Sequence, residues 1–216
     1  KSVRELHPHQ EEALDSVLQG FREHDRGQLI MACGTGKTFT SLRITESEEL
    51  VPQGGMVLVL VPSLSLVGQT LREWTAQAKR PFHAFTVCSD TKVSKQTEDI
   101  TAKELAYPAT TNPRKLVDTK QAVQTERPDW PTVIFSTYQS IQTIVDAQQK
   151  YGLEEFDLIV CDEAHRTAGV SLSPEFESRR TQESDFTKVL SEEFIRGKKR
   201  LFMTATPRIY APEPQE

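Results

Sequence analysis

Three short runs in this chain hold residues suited to phosphoryl chemistry. "MACGTGKT" at 31–38 sets Gly34, Gly36, Lys37 and Thr38 where an apolar run gives way to a helical pattern. "CDEAH" at 161–165 ends the apolar run "DLIV" with Asp162 and Glu163, and "TATP" at 204–207 follows "RLFM" with Thr204 and Thr206. Glycines let backbone N–H groups turn inward around phosphate oxygens, and a helix N-terminus adds partial positive charge. Lys37 would then reach the β and γ phosphates of a nucleotide, and Thr38 would offer its hydroxyl to Mg²⁺. Two carboxylates ending a buried strand are costly to desolvate unless a cation or hydrogen bonds receive them. With Mg²⁺ opposite Thr38, Asp162 helps hold the metal, and Glu163 orients and deprotonates the attacking water.

Each of these runs has a plainer reading. The pattern G-x-x-x-x-G-K-[ST] asks for Gly at position 31, where this chain has Met31, so the loop could be a glycine turn between strand and helix. His165 as a metal ligand lacks a second His or Cys at ligand spacing. His7 and His9 stand as H-x-H, yet they open a helical pattern beginning at Pro8.

The elements that must position these residues follow from hydrophobic patterning. "QLIM" (28–31), "VLVLV" (57–61), "AFTV" (84–87), "TVIF" (132–135), "DLIV" (157–160) and "RLFM" (200–203) read as strands buried on both faces. Helical patterns lie at 8–23, 37–50, 63–79, 112–125 and 138–150, with Asn112 as a candidate cap before Pro113. Strands alternating with helices imply an α/β fold with a mostly parallel sheet covered by helices on both faces. In such sheets ligands bind at the carboxyl ends of the strands. Five strands here deliver small, hydroxylic or acidic residues to that rim. Residues 88–130 are polar and proline-containing and are expected to elaborate one edge, while 166–185 reads as a surface loop.

Composition narrows the class. The chain has 216 residues, 37% hydrophobic and 26% charged, enough for one large domain or two small ones. The apolar run "MVLVLV" is far too short to cross a bilayer, and "KSVRELHPHQ" does not open like a signal peptide. Cys33, Cys88 and Cys161 are far apart, which suits free thiols in a reducing cytoplasm. A net charge of −5 argues against gripping nucleic acid by bulk electrostatics. Contacts to it would come from placed donors.

Taken in order, "MACGTGKT", "DEAH" and "TATP" resemble motifs I, II and III of superfamily 2 helicases of the DEAD/DEAH-box type. "LHPHQEEAL" resembles the upstream glutamine motif, "LVPSLSLVGQTLREW" resembles motif Ia, and "IFSTYQS" stands where motif Ib stands. "DEAHRTAG", "STYQS" and "KKRLFMTATPRIY" resemble the helicase subunits of restriction enzymes of type I and type III. The resemblance covers about residues 4–209. It implies a single RecA-like ATP-binding domain over 1–216, with the second RecA-like domain and its arginine fingers outside this chain.

The resemblance also assigns roles. Gln10 would contact adenine, although His7 stands where the family's motif has Arg. Cys33, Gly34, Thr35, Gly36, Lys37 and Thr38 would hold ATP, Thr38 and Asp162 would hold Mg²⁺, and Lys37 and Glu163 would be catalytic. His165, Thr204 and Thr206 would couple nucleotide state to the nucleic acid side. Ser63, Ser65, Gln69, Thr137, Tyr138 and Gln139 would contact the phosphodiester backbone of nucleic acid, with DNA the favoured partner. Ser63 and Thr137 could equally cap the helices that follow them. "RGKKR" (196–200) reads as a solvated turn at the opposite end of the sheet, and Trp74 as core.

The expected function is the ATP-binding domain of a DNA helicase or translocase in the cytoplasm, with no membrane partner. Alternatives are a self-contained P-loop NTPase of another class and a nucleotide-gated nucleic-acid-binding module without turnover.

Overall fold

The computed structural model describes residues 4–88, 109–163, 191 and 193–205. Among these, seven strands form one sheet: β1 (Arg26–Ile30), β2 (Met56–Val61), β3 (His83–Val87), β4 (Ala109–Thr110), β5 (Thr132–Thr137), β6 (Phe156–Cys161) and β7 (Gly197–Thr204). Their order is β1-β7-β6-β2-β5-β3-β4 and every pair is parallel. The helices are α1 (Pro8–Glu23), α2 (Lys37–Thr45), α3 (Leu64–Gln77), α4 (Pro113–Glu126) and α5 (Ile141–Lys150), the last preceded by a 3-10 turn over Tyr138–Ser140. The expected α/β architecture is present.

Strand β2 shows why the strand sequences are continuously apolar. Val57, Val59 and Val61 pack on one face with Phe39, Leu42 and Trp74. Met56, Leu58 and Leu60 pack on the other with Leu116, Ile141 and Ile144. Side chains alternate across a strand, so a sheet covered on both faces needs apolar residues at every position. Helices α1, α2 and α3 thus lie on one side, and α4 and α5 on the other. Among the described residues, no helix is long and apolar enough to cross a membrane.

Local chemistry sets the helix starts. Pro8 occupies the first turn of α1, and Asn112 caps α4 by accepting the Lys115 N–H at 3.0 Å. Helix α2 stops at Thr45, well short of residue 50. Leu50 and Val51 are buried instead in a turn, their N–H groups donating to the Ser47 carbonyl at 3.1 and 2.9 Å. The polar stretch after β3 does supply the sheet's edge, through the two-residue β4 that patterning did not reveal.

The basic run 196–200 corrects the expectation of a solvated turn. Strand β7 begins at Gly197, so most of the run is ladder. Lys198 pairs with Asp157 and Lys199 with Asp25, each at 2.8 Å. Arg200 is fully buried, donating to the Gly197 carbonyl at 3.0 Å and to the Ile195 carbonyl. These cations are consumed within the fold, at the amino end of the sheet.

Candidate nucleotide and nucleic-acid site

The carboxyl ends of β1, β7, β6, β2 and β5 share one rim. Ile30 is in register with Thr204, Cys161 with Phe202 and Leu60, and Val61 with Thr137. Met31, which replaces the first glycine of the loop pattern, is buried in the core, and its N–H donates to the Thr204 carbonyl at 3.1 Å. Position 31 therefore still extends the strand, and a glycine's conformational freedom is not needed there. The turn begins only afterwards.

Gly34 and Gly36 have φ of 80° and 88°, the left-handed region that glycine enters without strain. Gly36 is the N-cap of α2 and has no side-chain cap, which leaves the first backbone N–H groups of the helix aimed at the loop. Cys33 and Gly34 are exposed, and Thr35, Gly36, Lys37 and Thr38 are half-buried. This set fits a triphosphate: a glycine-bearing turn, an uncapped helix N-terminus, and one lysine. Thr38 is in turn held from behind, because the Trp74 indole N–H donates to its carbonyl at 3.0 Å. Trp74 is fully buried, as expected of a core residue.

The acidic pair faces this loop. Lys37 Nζ lies 3.2 Å from Glu163 Oε1. The Asp162 N–H continues the ladder to the Leu60 carbonyl at 2.8 Å, and Asp162 Oδ1 accepts the Glu163 N–H at 2.9 Å. Glu163 has φ of 54°, the one non-glycine residue with positive φ among those described. A left-handed conformation costs a residue with a side chain roughly 1–2 kcal/mol. Surrounding contacts hold it there. Asp162 and Thr38 carry oxygen atoms of the kind Mg²⁺ prefers, and Glu163 brings a carboxylate beside Lys37.

Gln10 takes a position its sequence motif only partly indicated. It is fully buried, its Oε1 accepting the His7 N–H at 2.9 Å and its Nε2 donating to the Thr35 carbonyl at 2.9 Å. The amide thus braces the phosphate loop from α1. His9 Nε2 lies 3.1 Å from the same Thr35 oxygen, and the His7 and His9 rings stack 5.9 Å apart. A cavity of about 590 Å³ opens beside this contact, bordered by His9, Glu12, Ala13, Met31, Ala32 and Thr35 at the loop end.

The nucleic-acid candidates divide by exposure. Ser63, Ser65, Gln69 and Gln139 are exposed. Ser63 is also the N-cap of α3, its hydroxyl accepting the Leu66 N–H at 3.4 Å. Thr137 is buried, with its hydroxyl donating to Ser140 Oγ at 3.2 Å. Tyr138 corrects the expectation of a surface contact. It is 1% exposed, and its hydroxyl donates to the Asp162 carbonyl at 2.8 Å. Being the residue that turns the chain out of β5, it points back over the sheet end, a direction invisible to alternation patterns. Burial pushes its phenol well above the usual range, so it remains a donor. Burial likewise pushes the neighbouring Cys161 thiol up to about 12. Thr204 is buried at the end of β7; His165 and Thr206 lie outside the described residues.

Comparison with known proteins gives a consistent family. Residues 4–209 match the family model described as type III restriction enzyme, res subunit. A probable helicase of African swine fever virus is 34% identical over 204 residues, covering 94% of this chain and 20% of the viral protein. The ATP-dependent type ISP restriction-modification enzyme LlaBIII, solved bound to DNA, is 41% identical with a TM-score of 0.81, covering 100% of this chain and 13% of that one. A nuclease-deletion mutant of the type ISP enzyme LlaGI, solved with a DNA substrate mimic, is 39% identical with a TM-score of 0.76, covering 96% of this chain and 18% of that one. The chain therefore spans a fifth or less of the length of these relatives.

Proposed function

Because the chain belongs to the family of the type III restriction enzyme res subunit, and is a restriction-type RecA-like helicase domain of superfamily 2, we propose that it binds ATP and hydrolyses it to drive movement on DNA. The 3.2 Å contact between Lys37 and Glu163 carries this reading. It brings a phosphate-gripping cation and a proton acceptor together at one rim, as phosphoryl transfer requires.

In this reading the amides of the 33–38 loop and Lys37 bind the triphosphate, and Gln10, held against the Thr35 carbonyl, marks the adenine side of the loop. Thr38 and Asp162 hold Mg²⁺, which when bound neutralises charge on the phosphates. Glu163 orients the attacking water and takes its proton. Gly34 and Gly36 let the loop take the left-handed φ values its turn requires. Ser63, Ser65, Gln69 and Gln139 meet the phosphodiester backbone, while Thr204, Thr206 and His165 relay nucleotide state.

A second RecA-like domain of the same protein is the proposed partner across the nucleotide, supplying arginines to the γ-phosphate. An arginine of that kind is worth roughly 10³–10⁵ in rate in other nucleotide hydrolases, so the 216-residue chain alone should be a poor ATPase. The test is steady-state phosphate release from this chain and from the full-length protein, with and without duplex DNA. Hydrolysis recovered and DNA-stimulated in the longer protein is the expected result. Equal rates from the chain alone would favour a self-contained P-loop NTPase, and no turnover in either would favour a nucleotide-gated binding module.

A further inference from the structure

Strands β5 and β6 are not neighbours; β2 lies between them. With adjacent strands about 4.8 Å apart, the ends of β5 and β6 stand about 10 Å apart. Tyr138 closes that gap. It follows directly on the last residue of β5, passes the end of β2, and donates its hydroxyl to the Asp162 carbonyl just beyond β6 at 2.8 Å. A serine, threonine or asparagine at 138 would fall short.

The bond lands on the peptide between the two acidic residues. That peptide is then fixed at both polar ends: its carbonyl accepts from Tyr138 at 2.8 Å, and its N–H donates to Asp162 Oδ1 at 2.9 Å. The orientation of this peptide sets the left-handed φ of 54° at Glu163, and with it the direction of the Glu163 carboxylate. At its other end Tyr138 adjoins the exposed Gln139, one of the residues proposed to meet nucleic acid.

We propose that Tyr138 is a positioning residue for Glu163, and that it makes the aim of that carboxylate responsive to nucleic acid held at the β5–α5 turn. This rests on the hydrolytic reading given above. The bond from this buried hydroxyl to the Asp162 carbonyl is a discrete connection: a shift of the 3-10 turn that lengthens it frees the Asp162–Glu163 peptide to rotate and Glu163 to leave the left-handed region.

Tyr138→Phe in the full-length protein removes the hydroxyl and keeps the ring. The expected result is a roughly tenfold fall in DNA-stimulated kcat, the loss of one buried hydrogen bond, with the KM for ATP within about twofold of wild type. The ratio of DNA-stimulated to basal rate should fall as well. Hydrogen–deuterium exchange at the Glu163 amide, measured without nucleotide, should quicken by roughly tenfold. A wild-type kcat, a loss carried by KM, an unchanged stimulation ratio, or unaltered exchange at Glu163 would each overturn the proposal. Wild-type protein that fails to hydrolyse ATP would sink the hydrolytic reading instead, and the exchange measurement would still judge Tyr138.

Discussion

Lys37 Nζ and Glu163 Oε1 stand 3.2 Å apart, with side chains 12% and 28% exposed. Two residues separated by 126 positions in sequence are joined because β1 and β6 flank β7 and end on one rim. Under the proposed function, a triphosphate entering the loop would compete with Glu163 for Lys37, drawing the lysine to phosphate and freeing the carboxylate to act on water.

Lys37→Ala removes the cation from that exchange. Mg·ATP affinity should fall by roughly 10–100-fold, the scale of a charged hydrogen bond lost from a partly buried site. Calorimetric titration checks this. Affinity equal to wild type would rule out the phosphate-loop assignment.

Glu163→Gln keeps the side chain's size and removes its proton affinity and charge. Nucleotide affinity should be retained or rise, because Lys37 loses its competing carboxylate. Turnover in the full-length protein should drop by at least ~10²-fold, as for loss of a general base. Single-turnover phosphate release reads it directly, and near-normal turnover would show that another group takes the proton.

Gly36→Ala meets two obstacles at once. Its φ of 88° strains any residue bearing a Cβ, by about 1–2 kcal/mol, and the added carbon would sit 2.2 Å from Gln10 Nε2. Gln10 is fully buried and cannot swing away freely. Nucleotide binding should be lost, and the thermal midpoint should fall by several degrees. A variant that binds ATP normally would show that the loop re-forms without its brace.

The cysteines give a test that needs no mutation. Cys33 is exposed on the phosphate loop, while Cys88 and Cys161 are buried, and burial lifts the Cys161 thiol to about 12. Maleimide at neutral pH should label Cys33 first, and Cys161 only on unfolding. Mg·ATP should protect Cys33. Mass spectrometry of the peptides checks both points, and labelling unaffected by saturating nucleotide would argue against binding at this loop.

The sheet was largely legible because burial on both faces writes itself as unbroken Val, Ile, Leu and Phe. Helix α1 was readable to its ends, since Pro8 marks its start and its polar and apolar residues alternate at helical spacing. The loop and acidic pair were readable because glycines, lysine and carboxylates have few other uses at strand ends. Arg200 was not, because a basic run ordinarily faces water, whereas here its guanidinium is buried and donates to the carbonyls of Gly197 and Ile195. Tyr138 was misread for a related reason: alternation predicts side-chain direction within a strand and fails at the first residue of the following turn. Two-residue β4 carries too little pattern to register.

Strand β1 closes the sheet at one end, zipped only to β7 among the described residues, whereas β2, β5, β6 and β7 are each zipped on two sides. Opening β1 breaks one ladder; opening β2 breaks two. The phosphate loop therefore hangs from a seam of the domain that parts more readily than its middle, and local unfolding there costs less than global unfolding. A ligand that grips the loop closes this seam by mass action, so occupancy of the site is also a clamp on the edge of the fold. The amides of Arg26–Ile30 would report that clamp as slowed exchange.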